Sequence, residues 1–283
     1  MMATRHELEL YDGRRLVVHD AGPTGTADEL GLIWHHGTPQ TGALLEPLVT
    51  WATERNIRLV SYARPSYGGS SPKPGRNVAS AAGDVEQIAE EMYLGRFAVM
   101  GASGGGPHAL ACAALLPDRV IGAVALASPA PFTEAFDWWA GMVAPGGLEA
   151  AEDGRDARES YAATEVFDEN SFTATDWAAL RGTWASLGRD AGLAGAAGPD
   201  GAIDDDVALV NPWGFDLADI RVPVLLVQGA EDRVIPPSHA EFLHCSVPTS
   251  ELLMRPGDGH ISVLDACSAA MDWLLEVAGR PVR

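Results

Sequence analysis

Residues 97–105 read FAVMGASGG, and this short stretch decides the fold. Its first four residues are apolar and typical of a buried strand, whereas the Ala-rich run 108–116 that follows is typical of a helix. Between them lies a G-x-S-x-G motif, in which Gly101 and Gly105 let strand and helix approach closely while Ser103 is pushed towards solvent. The start of the helix offers free N–H groups and the positive end of the helix dipole. The stretch therefore predicts a strand–turn–helix unit that presents a nucleophilic serine.

Outside this unit, short apolar runs alternate with longer helical runs. The predicted strands are 16–19, 30–34, 57–62, 97–100, 120–127, 222–227 and 251–254, and the predicted helices are 79–91, 108–116 and 261–277. Strands that alternate with helices form mostly parallel sheets whose two faces are both covered. We therefore predict an α/β fold with a mostly parallel, doubly wound sheet.

The alternation stops between residues 132 and 219, where no convincing strand appears. The segments predicted there are helices at 134–143, 149–167 and 173–187 and a Gly/Ala-rich loop at 190–202. Such an insertion is typical of a helical lid, which excludes water and completes a pocket. We predict a core of residues 1–131 and 220–283, with a lid of residues 132–219 inserted into it.

The composition of the predicted lid bears on the substrate. The lid holds 11 of the 20 aromatic residues, and Trp138, Trp139 and Trp184 are candidates for the wall of an apolar pocket; the alternative is packing of the lid onto the core. It also has 18 acidic residues against 4 arginines, and so accounts for 14 of the 20 net negative charges. This charge favours a solvated face that keeps the protein soluble, with steering of amine-bearing substrates as the alternative.

A nucleophilic serine needs a base, and the base needs an orienting acid. In this architecture the acid and then the histidine follow the serine along the chain. Asp232 follows a predicted strand, at the end where open α/β sheets place their sites, and its neighbour Glu231 is the alternative. His260 lies in a Gly-flanked loop after the next strand and is the predicted base, with a pKa near the free value of about 6.5. His239 and His244 also follow the acid, but they lie in a helical stretch and are predicted to be surface or helix-face residues.

Residues 35–39 read HHGTP, and this loop predicts the second half of an oxyanion-binding site. Gly37 permits a close backbone approach, and the proline restricts Thr38 to extended conformations, which directs its N–H group. The predicted oxyanion donors are the N–H groups of Thr38 and Gly104. His36 is predicted to brace the loop by hydrogen bonds and to take no part in the chemistry.

Together these motifs resemble the α/β-hydrolase fold superfamily, in the capped branch with a His-Gly-x-Pro loop. The resemblance spans residues 30–275 and rests on residues 36–39, 62–70, 101–105, 229–232 and 259–260. Epoxide hydrolases and haloalkane dehalogenases of this branch use an aspartate nucleophile, so Ser103 disfavours both. Proline iminopeptidases carry HGGPG where this chain has HGTPQ. Ala63 replaces the aspartate that usually precedes Arg64, which predicts an altered structural contact.

The motifs and the resemblance together predict a serine hydrolase. We expect it to cleave a carboxylic ester of a small, largely apolar molecule through an acyl-enzyme, with no metal and no organic cofactor. The alternatives are an aminopeptidase or amidase of the proline-iminopeptidase type, and a non-hydrolytic lyase or ligand-binding member of the same fold.

Composition excludes several other classes of protein. The 283 residues carry a net charge of −20, which argues against nucleic acids and anionic membranes as partners. The three cysteines lie far apart, which predicts neither a disulfide framework nor a thiolate zinc site. The first 18 residues lack the apolar centre of a signal peptide, and no apolar run reaches about 18 residues, so we predict a cytoplasmic protein that does not span a membrane. The sequence leaves the oligomeric state open.

Overall fold

An eight-stranded sheet forms the centre of the structure, a computed structural model that describes residues 3–23 and 29–282. The strands are β1 (Thr4–Glu9), β2 (Arg15–Asp20), β3 (Leu30–His35), β4 (Ile57–Tyr62), β5 (Phe97–Ala102), β6 (Val120–Leu126), β7 (Val224–Gly229) and β8 (Ser250–Arg255). They lie side by side in the order β1-β2-β4-β3-β5-β6-β7-β8. The β1–β2 and β2–β4 pairs are antiparallel and the other five pairs are parallel. The predicted α/β fold with a mostly parallel sheet is confirmed.

Helices cover both faces of this sheet. They are α1 (Glu46–Glu54), α2 (Ser80–Glu91), α3 (Gly106–Leu115), α4 (Gly146–Glu152), α5 (Arg155–Ala162), α6 (Ala174–Arg181), α7 (Ala185–Ala197), α8 (Asp200–Val210), α9 (Pro237–Ser246) and α10 (Cys267–Val277). One apolar cluster contains Val85 of α2, Leu110 of α3 and Leu243 of α9. A second cluster contains Leu48 of α1 and Met271 of α10. These two clusters form apolar layers on opposite faces of the sheet, as a doubly wound fold requires.

The parallel strands bring four loops to one edge of the sheet. Because β3, β5, β6, β7 and β8 all point the same way, the loops that leave their carboxyl ends lie along the same edge. The loops after β3, β5, β7 and β8 carry Thr38, Ser103, Asp232 and His260, respectively. The order of the strands therefore places every predicted catalytic residue on one side of the molecule.

Strand β1 and helix α1 lie where no element was predicted. The sequence of β1 is TRHELE, and most of its side chains are exposed. Its apolar signal is therefore weak, and the strand depends on antiparallel pairing with β2. Helix α1 has a proline in its first turn and buries Leu48 against the sheet.

Between β6 and β7 the chain leaves the sheet and forms α4 to α8. The predicted helix at 134–143 is wrong: these residues form turns, in which Phe136 and Trp138 pack their rings edge-on against the imidazole of His239. The predicted helix at 149–167 is interrupted after α4 at Gly154, whose φ of 96° does not fit a helix.

The second half of this segment is more helical than predicted. The loop predicted at 190–202 is wrong, because α7 continues to Ala197 and α8 begins at Asp200. Alanine is the strongest helix former, and the repeated alanines outweigh the glycines between them. The break between the two helices falls at Gly198, whose φ is 124°.

Three features of the described residues concern membranes, metals and thiols. No helix in residues 3–23 and 29–282 has both the length and the apolar character needed to cross a membrane. Over the same ranges, no group of three or more His, Cys, Asp or Glu side chains is placed to hold a metal ion. All three cysteines are free thiols; Cys112 and Cys267 are buried and Cys245 is exposed.

Candidate active site

Ser103 lies in the sharp turn that joins β5 to α3. Its φ is 53°, in the left-handed region that is unfavourable for a residue with a side chain. The turn also depends on its glycines. A Cβ at Gly101 would collide with the carbonyl oxygen of Gly105, and a Cβ at Gly105 would collide with that of His35. The strained turn therefore leaves the Ser103 side chain half-buried at the edge of the sheet.

Ser103, His260 and Asp232 form a chain of hydrogen-bonded side chains. Nε2 of His260 is 3.0 Å from Oγ of Ser103, and Nδ1 of His260 is 2.8 Å from Oδ2 of Asp232. An ionised carboxylate only accepts hydrogen bonds, so Nδ1 of the neutral imidazole carries the proton and Nε2 accepts from the serine hydroxyl. The structure thus brings together three residues that were predicted from three separate loops.

Further donors hold the carboxylate of Asp232, which is buried. Its Oδ1 accepts the N–H groups of Val234 and Ile235, both at 2.9 Å, and its Oδ2 accepts from the side-chain amide of Gln228 at 3.2 Å. Glu231, the alternative acid, is exposed to solvent. The sequence reasoning missed Gln228, although a lone polar residue in the buried strand VLLVQG is a signal that could have found it.

The environment of His260 shifts its acidity. Burial disfavours the charged imidazole, but the negative charge of Asp232 and its hydrogen bond outweigh that effect. The carboxylate of Asp176 acts in the same direction, and the pKa of His260 lies above its usual value. The expectation of an unshifted pKa is therefore wrong, because it took no account of the two carboxylates that the fold places near the ring.

Thr38 and Gly104 lie next to each other beside the serine. A Cβ at Gly104 would lie 2.5 Å from Oγ1 and 3.9 Å from the backbone nitrogen of Thr38. A Cβ at Gly37 would lie 3.6 Å from Cβ of Ser103. A Cβ at position 104 would therefore displace the Thr38 hydroxyl, and the backbone around both predicted oxyanion donors borders the nucleophile. The Thr38–Pro39 peptide bond is cis.

His36 braces the loop that carries Thr38, as predicted. Its Nδ1 donates to the carbonyl oxygen of Gly37 at 2.7 Å, and its Nε2 accepts the backbone N–H of Arg64 at 3.1 Å. Burial, aided by the nearby charge of Arg64, holds the pKa of His36 well below its usual value. The ring is therefore neutral and has both nitrogens engaged in hydrogen bonds.

A buried ion cluster ties the Thr38 loop to α8. The carboxylate of Asp205 is fully buried and accepts from the guanidinium groups of Arg64 and Arg76, both at 2.6 Å. It also accepts from the hydroxyl groups of Tyr67 at 2.9 Å and Thr38 at 2.5 Å. Burial raises the pKa of Asp205, but the two arginines outweigh this and hold it well below its usual range.

The residue directly before Arg64 in the sequence is Ala63, which has no carboxylate. Arg64 pairs with a carboxylate of this cluster instead. Its partner, Asp205, lies 141 residues further along the chain, in the segment between β6 and β7. No local pattern links the two residues, and sequence reasoning did not find the contact.

The sequence model of the alpha/beta hydrolase family matches residues 16–276. The chain belongs to this family. A non-heme chloroperoxidase from Streptomyces lividans is 28% identical to this α/β-hydrolase over 251 residues, covering 82% of this chain and 86% of that protein. A hydrolase from Pseudomonas aeruginosa PA01 has a similar fold, with a TM-score of 0.72, 21% identity and 98% of each chain covered. A thermophilic esterase from Thermogutta terrifontis has a TM-score of 0.71 and 21% identity, with 97% of this chain and 99% of that chain covered.

The three tryptophans that were predicted to line a pocket have different surroundings in this α/β-hydrolase. Trp138 is buried, and its ring centre lies 4.7 Å from that of Trp139, which is half-buried. Trp184 is fully buried; it packs edge-on against Trp51, and its indole N–H donates to Asp265 at 2.8 Å. Packing thus accounts for Trp138 and Trp184, whereas Trp139 keeps part of its surface free. A role of any of them in a substrate pocket stays a prediction.

His239 lies on a face of α9, one of the two predicted alternatives, but that face points into the protein and the residue is fully buried, so it is not a surface residue. Its Nδ1 accepts the backbone N–H of Ala130 at 3.1 Å, so Nε2 carries the proton and donates to the carbonyl oxygen of Trp138 at 2.9 Å. Burial lowers the pKa of His239 to about 4. The neutral ring joins α9 to the first turns after β6. His244, on the same helix, is exposed.

Proposed function

We propose that this α/β-hydrolase cleaves a carboxylic ester of a small, largely apolar molecule through an acyl-enzyme. The observation that carries the proposal is the hydrogen-bonded chain from Asp232 through His260 to Ser103. A half-buried serine hydroxyl that donates to an unprotonated imidazole nitrogen is the arrangement that nucleophilic attack on a carbonyl group needs.

The proposed reaction has two halves. Ser103 Oγ attacks the carbonyl carbon while its proton passes to Nε2 of His260, and the N–H groups of Thr38 and Gly104 donate hydrogen bonds to the negatively charged carbonyl oxygen. His260 then gives the proton to the leaving alcohol, and the ester C–O bond breaks. In the second half, water transfers a proton to His260 and attacks the acyl group. The bond between Ser103 Oγ and the acyl carbon then breaks, and His260 returns the proton to Oγ, which releases the carboxylic acid and the free serine. Asp232 stabilises the imidazolium in both halves.

We propose that residues 132–219 act as a lid over a core of residues 1–131 and 220–283, and that the lid selects apolar acyl groups. Strand β6 lies next to β5, so the segment after β6 begins at the edge of the sheet where Ser103 lies. That segment starts with aromatic residues that contact one another, among them Phe132 and the half-buried Trp139. An apolar wall of this kind binds alkyl chains by removing them from water.

Fluorophosphonate labelling tests the nucleophile. We expect one label per chain, on Ser103, and we expect Ser103→Ala to lose the label and at least about 10³-fold in kcat, since members of such a chain act as a unit. Ser160→Ala, at an exposed serine far along the chain, is the control and should behave as the wild type. A label on another serine contradicts the proposal, and faster cleavage of amino-acid arylamides than of esters would indicate the peptidase alternative.

A series of p-nitrophenyl esters of increasing acyl length tests the lid. Each buried CH₂ contributes about 0.8 kcal/mol, so kcat/KM should rise by up to about fourfold per CH₂ until the pocket is full. Trp139→Ala should weaken this dependence. The control is Trp177→Ala, which removes another half-buried lid tryptophan that packs with Phe167 and Phe172. A wild-type kcat/KM that does not change with acyl length contradicts the proposed pocket.

One relative favours a second candidate function. The 28% identity to a non-heme chloroperoxidase over 82% of this chain suggests peroxide-dependent halogenation. Hydrogen peroxide in place of water would release the acyl group of the acyl-enzyme as a peracid, and the peracid would oxidise a halide to hypohalous acid, itself becoming the carboxylic acid. Halogenation of a 1,3-dione with acetate, peroxide and bromide, lost in Ser103→Ala, would support this function. Ester hydrolysis with no halogenation excludes it.

A further inference from the structure

The loop that carries His260 is held by a carboxylate from the segment between β6 and β7. Asp176, the third residue of α6, is fully buried. Its Oδ1 accepts the N–H groups of Ile261 and Ser262, both at 2.8 Å, and the Ser262 hydroxyl at 2.9 Å. Its Oδ2 accepts the N–H of His260 at 3.3 Å. Three successive backbone N–H groups therefore converge on one side chain that lies 84 residues earlier in the chain.

These N–H groups need an outside acceptor. They stand at the start of the 3-10 helix Ser262–Ala266, whose first N–H groups have no partner inside the helix. The residue at the capping position is Ile261, whose side chain cannot accept a hydrogen bond. Asp176 thus does for this turn what a capping side chain usually does, but it comes from a distant helix. Without it, three N–H groups would be buried without an acceptor, which destabilises the loop.

The carboxylate of Asp176 is in close contact with the His260 loop on one side and with the start of α6 on the other. A Cβ at Gly259 would collide with the carboxylate of Asp176, so only glycine lets the loop approach it. On the side of α6, the N–H and hydroxyl groups of Thr173 both donate to Oδ2 of Asp176 at 2.9 Å, as part of a capping box. The hydrogen bonds outweigh burial and lower the pKa of Asp176, so the carboxylate is ionised at neutral pH. Hydrogen bonds and close packing therefore join the loop to the carboxylate and the carboxylate to α6.

We propose that Asp176 is a positioning residue that holds residues 259–262 in the arrangement in which Nε2 of His260 reaches Ser103. This inference rests on the proposed function. Asp232 fixes the imidazole ring through Nδ1, whereas Asp176 fixes the backbone from which the ring extends. Because Asp176 belongs to α6, the base is in place only while the helices between β6 and β7 are docked on the sheet. Asp176 therefore couples docking of the lid to the assembly of the site.

The test compares Asp176→Asn with Asp204→Asn. An amide at position 176 has one acceptor oxygen instead of two, and its NH₂ group faces either the loop donors or the Thr173 donors, so the loop shifts. We expect kcat to fall about 10- to 100-fold, because a misplacement of about 1 Å costs this much, with KM unchanged within about twofold. The rise of kcat/KM with pH should also move to lower pH, because Asp232 and Asp176 are the carboxylates that favour the imidazolium of His260 and one of them is lost.

Asp204→Asn is the matched control. Asp204 is another buried aspartate of the segment between β6 and β7, and it accepts from Ser66 and Arg155. The same chemical change is therefore made without touching the His260 loop, and kcat and the pH profile should stay those of the wild type. A fall of kcat in Asp176→Asn that comes with a raised KM and an unmoved pH profile would indicate a general loss of lid structure and would overturn the inference.

Gly259→Ala tests the contact from the other side if Asp176→Asn does not fold. The added methyl group should push the loop away from the carboxylate and lower kcat with KM kept. In Asp176→Ala/Gly259→Ala the collision is relieved, so the double variant should lose no more activity than the worse of Asp176→Ala and Gly259→Ala, each measured alone. If the losses of activity in the two single variants add in the double variant, the inference about Asp176 is overturned. A folded Asp176→Asn enzyme with the wild-type kcat overturns it as well. Both outcomes leave the proposed function standing. A wild-type chain that neither reacts with fluorophosphonate nor cleaves esters overturns the proposed function as well.

Discussion

The loops of the sheet and the helices between β6 and β7 contribute to the candidate site in different ways. The loops carry the groups proposed to react, each within a few residues of a strand end. The helices carry buried carboxylates that hold these loops from outside. Asp176, Asp190 and Asp205 accept hydrogen bonds from the His260 loop, from Thr41 and from Thr38, respectively. The sheet thus supplies the proposed chemistry, and the inserted helices constrain its geometry.

This difference changes the interpretation of the acidic charge in residues 132–219. A solvated face was the favoured expectation, but four aspartates of this segment are buried: Asp176, Asp190, Asp204 and Asp205. A buried carboxylate is stable only where donors or cations compensate for the loss of water, and all four accept hydrogen bonds. Part of the charge is therefore structural and joins the segment to the sheet.

The largest effect is expected on kcat, from a change at Asp232, which lies in a loop of the sheet. Asp232→Asn should lower kcat about 10³- to 10⁴-fold, because an amide at this position favours the wrong imidazole tautomer of His260. The chain offers its own control in Glu231→Gln, next to it, whose exposed side chain should leave kcat unchanged. Both are measured with a p-nitrophenyl ester. If Glu231→Gln lowers kcat in this way and Asp232→Asn does not, Asp232 is not the acid that orients His260.

The next largest effect is expected on the stability of the protein, from a change at Asp205 in the inserted helices. Asp205→Asn leaves Arg64 and Arg76 buried without their carboxylate, and the free energy of unfolding should fall by about 3–5 kcal/mol. Urea denaturation measures it. Asp204→Asn should lower the free energy of unfolding much less, because its partner Arg155 is 39% exposed and remains in contact with water. Equal losses for the two variants would show that the cluster around Asp205 does not join the two regions.

The smallest effect is a shift in the pH dependence of the wild-type enzyme. The base must be neutral to accept the serine proton, so kcat/KM should fall as the pH drops through the pKa of His260. Because that pKa lies above its usual value, the midpoint should lie above about 6.5. The measurement is kcat/KM for an ester between about pH 5 and 9. A midpoint at or below 6.5 would mean that the two carboxylates do not act on the ring as the structure indicates.

The sequence by itself determined the groups at the strand ends. Ser103 was found because its turn needs glycines at fixed positions, and Asp232 and His260 because each follows an apolar strand within a few residues. Once the strands are parallel, their carboxyl ends share one edge, and local patterns are enough to place distant residues together. The alternation of strands and helices determined the sheet for the same reason, since hydrophobic periodicity is a local property.

Only the tertiary structure decided which residues hold the site. Asp176 and Asp205 look like the other acids of their segment, and the residues that they hold in the loops of the sheet lie 84 to 167 residues away along the chain. The burial of His239 and the raised pKa of His260 likewise depend on groups from other elements. A carboxylate that faces water and one that caps a distant loop have the same local sequence signal. Their difference lies in desolvation and hydrogen bonding, which exist only after the helices have docked on the sheet.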